Sequence, residues 1–293
     1  MVCPNVRTKG SPMSSLPTRV GVLGGGTMGV GIAHAFLVKG CEVVVVERDP
    51  AAAATTGQRI DKALFASVER GLLDNAEPCT EAVTLTTEIP DLSGCALVVE
   101  AVPEILEVKV EALRAAEEAI APEAFLTSNT SSLSISELAE RLDRPSSFCG
   151  LHFFNPVPSS SLIEVVVGAR TAPELTEAAR GWASALGKSA IVVTDAPGFA
   201  SSRLGVNLAL EAMRMLEEGV ASAADIDRAM EEGYKHPVGP LRTTDIVGLD
   251  VRLGIADYLH ATLGERFAPP QILRDKVSRG ELGRKTGKGF YDW

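Results

Sequence analysis

The regular pattern of the chain begins at Arg19. An apolar run, residues 20–23, is followed by Gly24-Gly25-Gly26-Thr27-Met28-Gly29 and then by a helical stretch that reaches Lys39. Gly40 is placed to end that helix in the left-handed conformation, which glycine adopts without a Cβ penalty. Residues 43–46 are four valines with no polar alternation, the pattern of a parallel strand covered on both faces. Strand, glycine turn, helix and strand within about 30 residues form a βαβ unit. The alternation goes on. Helices are predicted over 59–70 and 109–120, from Ser134 and from Pro173. Strands are predicted over 83–86, 96–100, 125–128, 148–151, 162–167 and 190–193. This is an α/β chain of Rossmann type: a doubly wound, mainly parallel sheet, whose strand ends should open onto a crevice.

Past Asp195-Ala-Pro-Gly-Phe199 the strand signals stop. Residues 203–219, 222–233, 245–263 and 270–281 read as helices broken by Gly and Pro, and Ala223 to Asp227 carries acids where a helix start favours them. The boundary falls near Pro197. The expected organisation is a leader over 1–18, a nucleotide-binding domain over 19–196 and an all-helical domain over 197–293. The leader holds Arg7 and Lys9, no acid, and several Ser and Pro. It reads either as disordered or as the product of a start upstream of the true one at Met13.

Composition narrows the classes of partner. With 45% hydrophobic and 23% charged residues the chain has ordinary globular make-up, and its net charge of -10 argues against nucleic acid as the main partner. A local basic pocket for a phosphorylated small molecule stays possible. The five cysteines are scattered with no CxxC spacing, so reduced thiols in a cytoplasmic protein are expected, and no metal site. No apolar run approaches the ~20 residues that span a bilayer, and no membrane association is expected.

The glycines at 24, 26 and 29 fit GxGxxG. The first permits a tight turn, the second lets the backbone approach a pyrophosphate, and the third lets helix and strand pack closely, with Thr27 and Met28 at the helix start between them. Glu47 ends the next strand at the separation expected of a carboxylate that grips the adenosine ribose. Its charge would repel a 2′-phosphate, which favours NAD over NADP, although the adjacent Arg48 is able to pair with such a phosphate. Further on, a polar cluster, Ser128 to Ser132, sits at one predicted strand end. His152 follows the next strand, with Glu164 twelve residues beyond it. A histidine suits the removal of a proton from an alcohol as hydride leaves its carbon, and a carboxylate beside it would fix its tautomer.

The chain resembles the L-3-hydroxyacyl-CoA dehydrogenase family, including its 3-hydroxybutyryl-CoA members. The likeness runs from about Arg19 to Trp293 and rests on the Gly24 turn, Val99-Glu-Ala101, Asn129-Thr-Ser-Ser132, His152-Phe-Phe-Asn-Pro156, Pro197-Gly-Phe199, His236-Pro-Val-Gly-Pro240, Gly248-Leu-Asp250 and Gly283-Arg-Lys-Thr-Gly-Lys-Gly-Phe-Tyr291. The resemblance implies NAD-dependent oxidation of an L-3-hydroxyacyl-CoA, with His152 as general acid/base, Glu164 as its orienting partner and Ser131 bonded to the substrate oxygen. It places Glu104, Lys109, Asn155 and Lys285 at positions that contact NAD. It also implies basic residues for the CoA phosphates on the 59–70 helix, where Arg59, Lys62 and Arg70 are available and Arg70 matches best, and a homodimer through the helical domain. Met213, Met215 and Leu216 would permit that interface or equally form internal core.

One departure stands out. The family's Pro-Gly-Phe-x-x-Asn-Arg is here Pro197-Gly-Phe-Ala-Ser-Ser202-Arg203. Ser202, which can still donate and accept, is expected to take over the substrate-side role of that Asn. His34, His236 and His260 have no evident carboxylate partner and read as structural, and Ser132 reads as a helix cap. Two other readings of the whole chain stay open: a dehydrogenase of a free 3-hydroxy acid, sugar acid or carnitine, and a non-catalytic NAD-binding protein.

Overall fold

A computed structural model describes residues 16–293. The leader expected over 1–18, and the start at Met13, thus fall almost wholly outside the described residues. The chain divides into two compact units, one ending at Asp195 and the other spanning Ala196–Trp293.

The first unit runs β1 (Arg19–Leu23), α1 (Thr27–Leu37), β2 (Glu42–Val46), α2 (Pro50–Glu69), α3 (Glu77–Glu81), β3 (Val83–Thr86), β4 (Leu97–Glu100), α4 (Leu106–Ala119), β5 (Phe125–Ser128), α5 (Ile135–Ala139), β6 (Phe148–Phe153), β7 (Leu162–Val167), α6 (Pro173–Ala185) and β8 (Ser189–Thr194). The eight strands form one sheet in the order β3-β2-β1-β4-β5-β6-β7-β8. Every neighbouring pair is parallel except β6 with β7. Between β1 and β4 the order of winding reverses, and there the carboxyl ends of the strands diverge to leave a crevice.

Both faces of this sheet are covered. Val20, Val22, Val43, Val45, Leu97 and Val99 pack with Ile32 and Phe36 of α1, Ile60 and Leu64 of α2 and Trp182 of α6. The alternate residues Val44, Val98, Leu126 and Val166 are buried as well and point the other way. A Cβ added at Gly150 would touch Val166 and Ile135 of α5 on that face. Each such side chain contributes about 1.5–3 kcal/mol by leaving water, which explains why the valine run tolerates no polar residue. The four described cysteines are all buried and unpaired with one another.

Helix limits follow local chemistry. Gly40 has φ +81, as expected for the end of α1. The helix predicted over 59–70 starts nine residues earlier, because Asp49 accepts a bond from the Ala52 amide at 2.7 Å and Pro50 fills the first helical position.

The second unit holds α7 (Ser201–Glu217), α8 (Ala223–Tyr234), α9 (Pro240–Val247), α10 (Leu249–Leu263) and α11 (Gln271–Ser278). The single helix expected over 245–263 is instead split: Gly248, at φ +108, separates α9 from α10. Met213 is fully buried in the core of this unit, with Met215 and Leu216 packed against it, so the apolar stripe on α7 is accounted for within one chain. Two buried acids organise the rest. Asp227 of α8 accepts from the Leu241 and Arg242 amides, at 2.8 and 2.9 Å, and from the Tyr291 hydroxyl at 2.7 Å. Asp245 of α9 accepts from the amides of Phe290 and Tyr291 and from the Trp293 indole, all at 2.8–2.9 Å. The C-terminal residues are thus tied down by Asp245, with Asp227 holding the Tyr291 hydroxyl as well. No helix among the described residues is long and apolar enough to cross a membrane.

Replacing Asp245 by Ala removes the acceptor of three part-buried donors. The expected cost is about 1–3 kcal/mol, read as a lower urea midpoint.

Candidate active site

The turn after β1 is built by what its glycines lack. Gly24 has φ +87, and its amide bonds to the Val46 carbonyl at 2.9 Å. A Cβ on Gly29 would lie 1.8 Å from the Gly24 carbonyl oxygen, whereas one on Gly26 would meet nothing within 4 Å. Gly29 therefore serves packing, and Gly26 leaves the approach to α1 open. Thr27 and Met28 supply the first amides of α1, which have no partner inside the helix, and the helix dipole makes this a place for negative charge. Glu47 faces the same turn: its Oε1 accepts from the Gly25 amide at 2.8 Å and the Thr56 hydroxyl at 2.7 Å. Arg59, grouped by sequence with Lys62 and Arg70, lies on the turn instead and donates to the Gly25 carbonyl and the Thr27 hydroxyl. Arg48 is exposed and pairs with Asp49 at 3.0 Å.

At the end of β4 lies a buried ion pair. Lys109, 1% exposed, reaches Glu100 at 2.7 Å, Glu104 at 3.2 Å and the Val102 carbonyl at 3.2 Å. These acceptors account for its three donors. Burial raises the Glu100 carboxyl above its usual range against the pull of Lys109, the Ser128 hydroxyl and the Val102 amide. For Glu104 burial acts in the same direction, but Lys109 and the hydroxyls of Thr130 and Ser132 outweigh it and hold the carboxyl low. Glu104 Oε1 gathers the Thr130 hydroxyl, the amides of Ser131 and Ser132, and the Ser132 hydroxyl. Ser132 is thus bound to Glu104 rather than capping α5. The cap is Ser134, which accepts from the Glu137 amide.

His152 and Glu164 meet through the one antiparallel step in the sheet. They are directly opposed in the register of β6 and β7, and His152 Nδ1 lies 2.7 Å from Glu164 Oε2. Both are buried, Glu164 completely. The ring of Phe154 packs on the imidazole, centroid to centroid 4.5 Å. Asn129, at the end of β5, accepts from the Phe153 amide at 2.8 Å and so fastens the Ser131 loop to the strand that carries His152. Asn155 is exposed in the loop after β6, and Lys62 and Arg70 are exposed on and at the end of α2 with no ion-pair partner among the described residues.

In the helical unit Ser202 occupies the first turn of α7, partly buried. Lys285 pairs with both carboxylate oxygens of Asp250 at 2.6 Å. His260 does have an acidic partner, contrary to expectation: Glu265, one turn on, at 3.1 Å. His34 is buried against the Ser67 hydroxyl, and burial lowers its pKa.

The family model for the 3-hydroxyacyl-CoA dehydrogenase NAD binding domain matches residues 19–196, and that for the C-terminal domain of the same family matches 198–293. The chain belongs to the 3-hydroxyacyl-CoA dehydrogenase family. It is an oxidoreductase of that family. A 3-hydroxybutyryl-CoA dehydrogenase of Mycobacterium tuberculosis is 40% identical over 286 residues, covering 96% of this chain and all of the relative. A probable 3-hydroxybutyryl-CoA dehydrogenase of Deinococcus radiodurans is 39% identical over 277 residues, 94% of this chain and all of the relative. The crystal structure of (S)-3-hydroxybutyryl-CoA dehydrogenase from Ralstonia eutropha superposes with a TM-score of 0.90 at 34% identity, over 95% of this chain and 99% of the other.

Three residues of this dehydrogenase chain to which the sequence assigned no role, Glu100, Asn129 and Thr56, brace the site. Glu100 carried a signal, a lone acid closing a fully apolar strand. The partners of Asn129 and Thr56 are distant in sequence and become visible only once the strands are ordered. The two glycines offer a direct check. Gly29→Ala is expected to destabilise the fold by more than about 2 kcal/mol through the clash with Gly24, while Gly26→Ala shifts stability by only a few tenths, both read by chemical denaturation.

Proposed function

We propose that this chain catalyses the reversible NAD-linked oxidation of an L-3-hydroxyacyl-CoA of short acyl chain, such as 3-hydroxybutyryl-CoA, to the 3-ketoacyl-CoA. The observation that carries the reading is the buried His152–Glu164 pair, 2.7 Å apart, at the same edge of the sheet as the open glycine turn.

The turn suits a dinucleotide. Where a Cβ at Gly26 would meet nothing, a pyrophosphate has room beside the free amides of Thr27 and Met28, and Glu47 disfavours a 2′-phosphate by charge. NAD, held there, supplies the acceptor for the hydride that leaves C3 of the substrate. Glu104, Asn155 and Lys285 would line its path, with Lys109 acting through Glu104, since its own donors are committed. His152 takes the hydroxyl proton in the oxidative direction and returns it in reduction. With Nδ1–H donating to Glu164, Nε2 is the basic nitrogen, and the carboxylate stabilises the imidazolium as it forms. The Ser131 hydroxyl and the protonated His152 stabilise negative charge on the substrate oxygen. Lys62 and Arg70, exposed and without an ion-pair partner among the described residues, suit the phosphates of CoA. Ser202 stands where the family has Asn and takes the substrate-side bond. A cytoplasmic homodimer accords with this reading.

Acetoacetyl-CoA with NADH is expected to give NADH oxidation, with NADPH at least about tenfold less efficient in kcat/KM, as a like-charge clash requires. No oxidation above background would overturn the reading, and faster turnover of free acetoacetate would move it to the free acid. His152→Gln should lower kcat by about 10²–10⁴-fold, and Glu164→Gln should also alter the pH profile of kcat/KM. Ser202→Ala should lower kcat/KM by roughly fivefold for the loss of one neutral hydrogen bond, and unchanged kinetics would remove Ser202 from the site.

A further inference from the structure

The loop between β6 and β7 joins the strand of His152 to the strand of Glu164, and it also carries Asn155. Two contacts hold it, one apolar and one polar. Val157 is 2% exposed, and a Cβ added at Gly31 of α1 would lie 2.8 Å from its side chain. Gly31 thus leaves the notch that Val157 fills, on the helix whose first turn follows Gly26. The polar contact comes from Lys188. Its Nζ donates to the Val157 carbonyl at 2.6 Å and to the Ser160 carbonyl at 2.5 Å. Within the loop the amides of Ser159 and Ser160 both turn back onto the Pro156 carbonyl, so the ammonium closes a compact turn from the side.

The backbone of Lys188 is itself fixed. α6 ends in a Schellman arrangement: the Gly187 amide bonds to the Ser184 carbonyl and the Lys188 amide to the Ala183 carbonyl, each at 2.9 Å, with Gly187 at φ +79. The Ser189 amide then bonds to the Ser161 carbonyl, and β8 begins. The charge is placed at a cost. Lys188 is half-buried, no acid among the described residues pairs with it, and burial together with the neighbouring Lys39 draws its pKa below the ordinary lysine range. A methionine would fill the same space without that penalty. What the ammonium adds is a pair of charge-assisted bonds, which are shorter and stronger than neutral ones, to two carbonyls of one loop.

We propose that Lys188 is a positioning residue for the reaction, holding the loop against the end of α6 so that Asn155 is presented to NAD. This rests on the reading above that Asn155 lines the path of the coenzyme. Val157 fixes the distance of the loop from α1, and Lys188 fixes its distance from α6. The loop is thereby clamped from two sides, close to the turn that would take the pyrophosphate and to the strands that bear the acid/base pair.

Binding of NADH, followed by its fluorescence, and steady-state turnover of acetoacetyl-CoA together test this. Lys188→Met should raise the Kd and KM for NADH by about tenfold, the loss expected for one charge-assisted contact. The KM for acetoacetyl-CoA should stay within about twofold of wild type, since uniform loss of fold would move both. Lys188→Arg, which keeps a charged donor for the two carbonyls, should recover most of the NADH affinity. Lys39→Met, which removes the neighbouring charge, should behave as wild type. A Lys188→Met variant with wild-type NADH affinity overturns the proposal. So does a rise confined to the KM for acetoacetyl-CoA, which would assign the ammonium to the CoA phosphates. An equal loss of NADH affinity in Lys39→Met overturns it as well, in favour of a general effect of charge. Should Lys188→Met fail to fold, Val157→Ala decides: it loosens the same loop and should weaken NADH, and unchanged affinity there overturns the proposal. If the wild type binds NADH yet turns over no acetoacetyl-CoA, the reading of the reaction fails. The NADH Kd of the variants then still judges the hold on the loop.

Discussion

Lys109 holds three acceptors from a position almost without solvent, and the active edge of the sheet hangs on that one ammonium. Through Glu100 it fixes the end of β4 and the Ser128 hydroxyl at the end of β5. Through Glu104 it fixes the loop that carries Ser131. A buried cation is tolerated only when its partners are complete, so the pairing that satisfies Lys109 also determines where the loops stand. Asn129 then passes the same constraint to β6 and His152. The geometry of the candidate catalytic groups is thus set by electrostatics beneath them as much as by the strands they end.

Much of the scaffold was legible in advance, because buried parallel strands have to be apolar throughout and because glycine has few substitutes in a tight turn. The valine run of β2 and the Gly24 turn announced themselves in this way, whereas the pairing of His152 with Glu164 was implied by the family resemblance and is made by the antiparallel register of β6 and β7. Helix limits were less visible. The helix predicted from residue 59 begins at Pro50, where the Asp49 cap and Pro50 fix its start. Gly248 was lost inside a helical pattern, although its φ of +108 divides two helices. Ser132 read as the helix cap, but Glu104 claims it and Ser134 caps α5. The common cause is that side-chain-to-backbone bonds compete locally, and tertiary partners decide which of them forms.

The two units handle buried charge differently. In the sheet unit, burial is met with a closed network of Glu100, Lys109 and Glu104. In the helical unit, two acids are closed by the backbone of α9 and the C-terminal residues, while among the described residues no acid pairs with the buried Arg252, whose Nε has no hydrogen-bond partner there.

The position of Glu47 has a consequence for how such an enzyme diversifies. One oxygen of its carboxylate is spent on the Gly25 amide and the Thr56 hydroxyl, which brace the turn. A mutation that removed the charge to admit a phosphorylated ribose would loosen the turn in the same stroke. On the proposed role of Glu47, coenzyme choice and loop integrity would be inherited as one trait, and a change of coenzyme would call for compensating substitutions at Thr56 or Arg59.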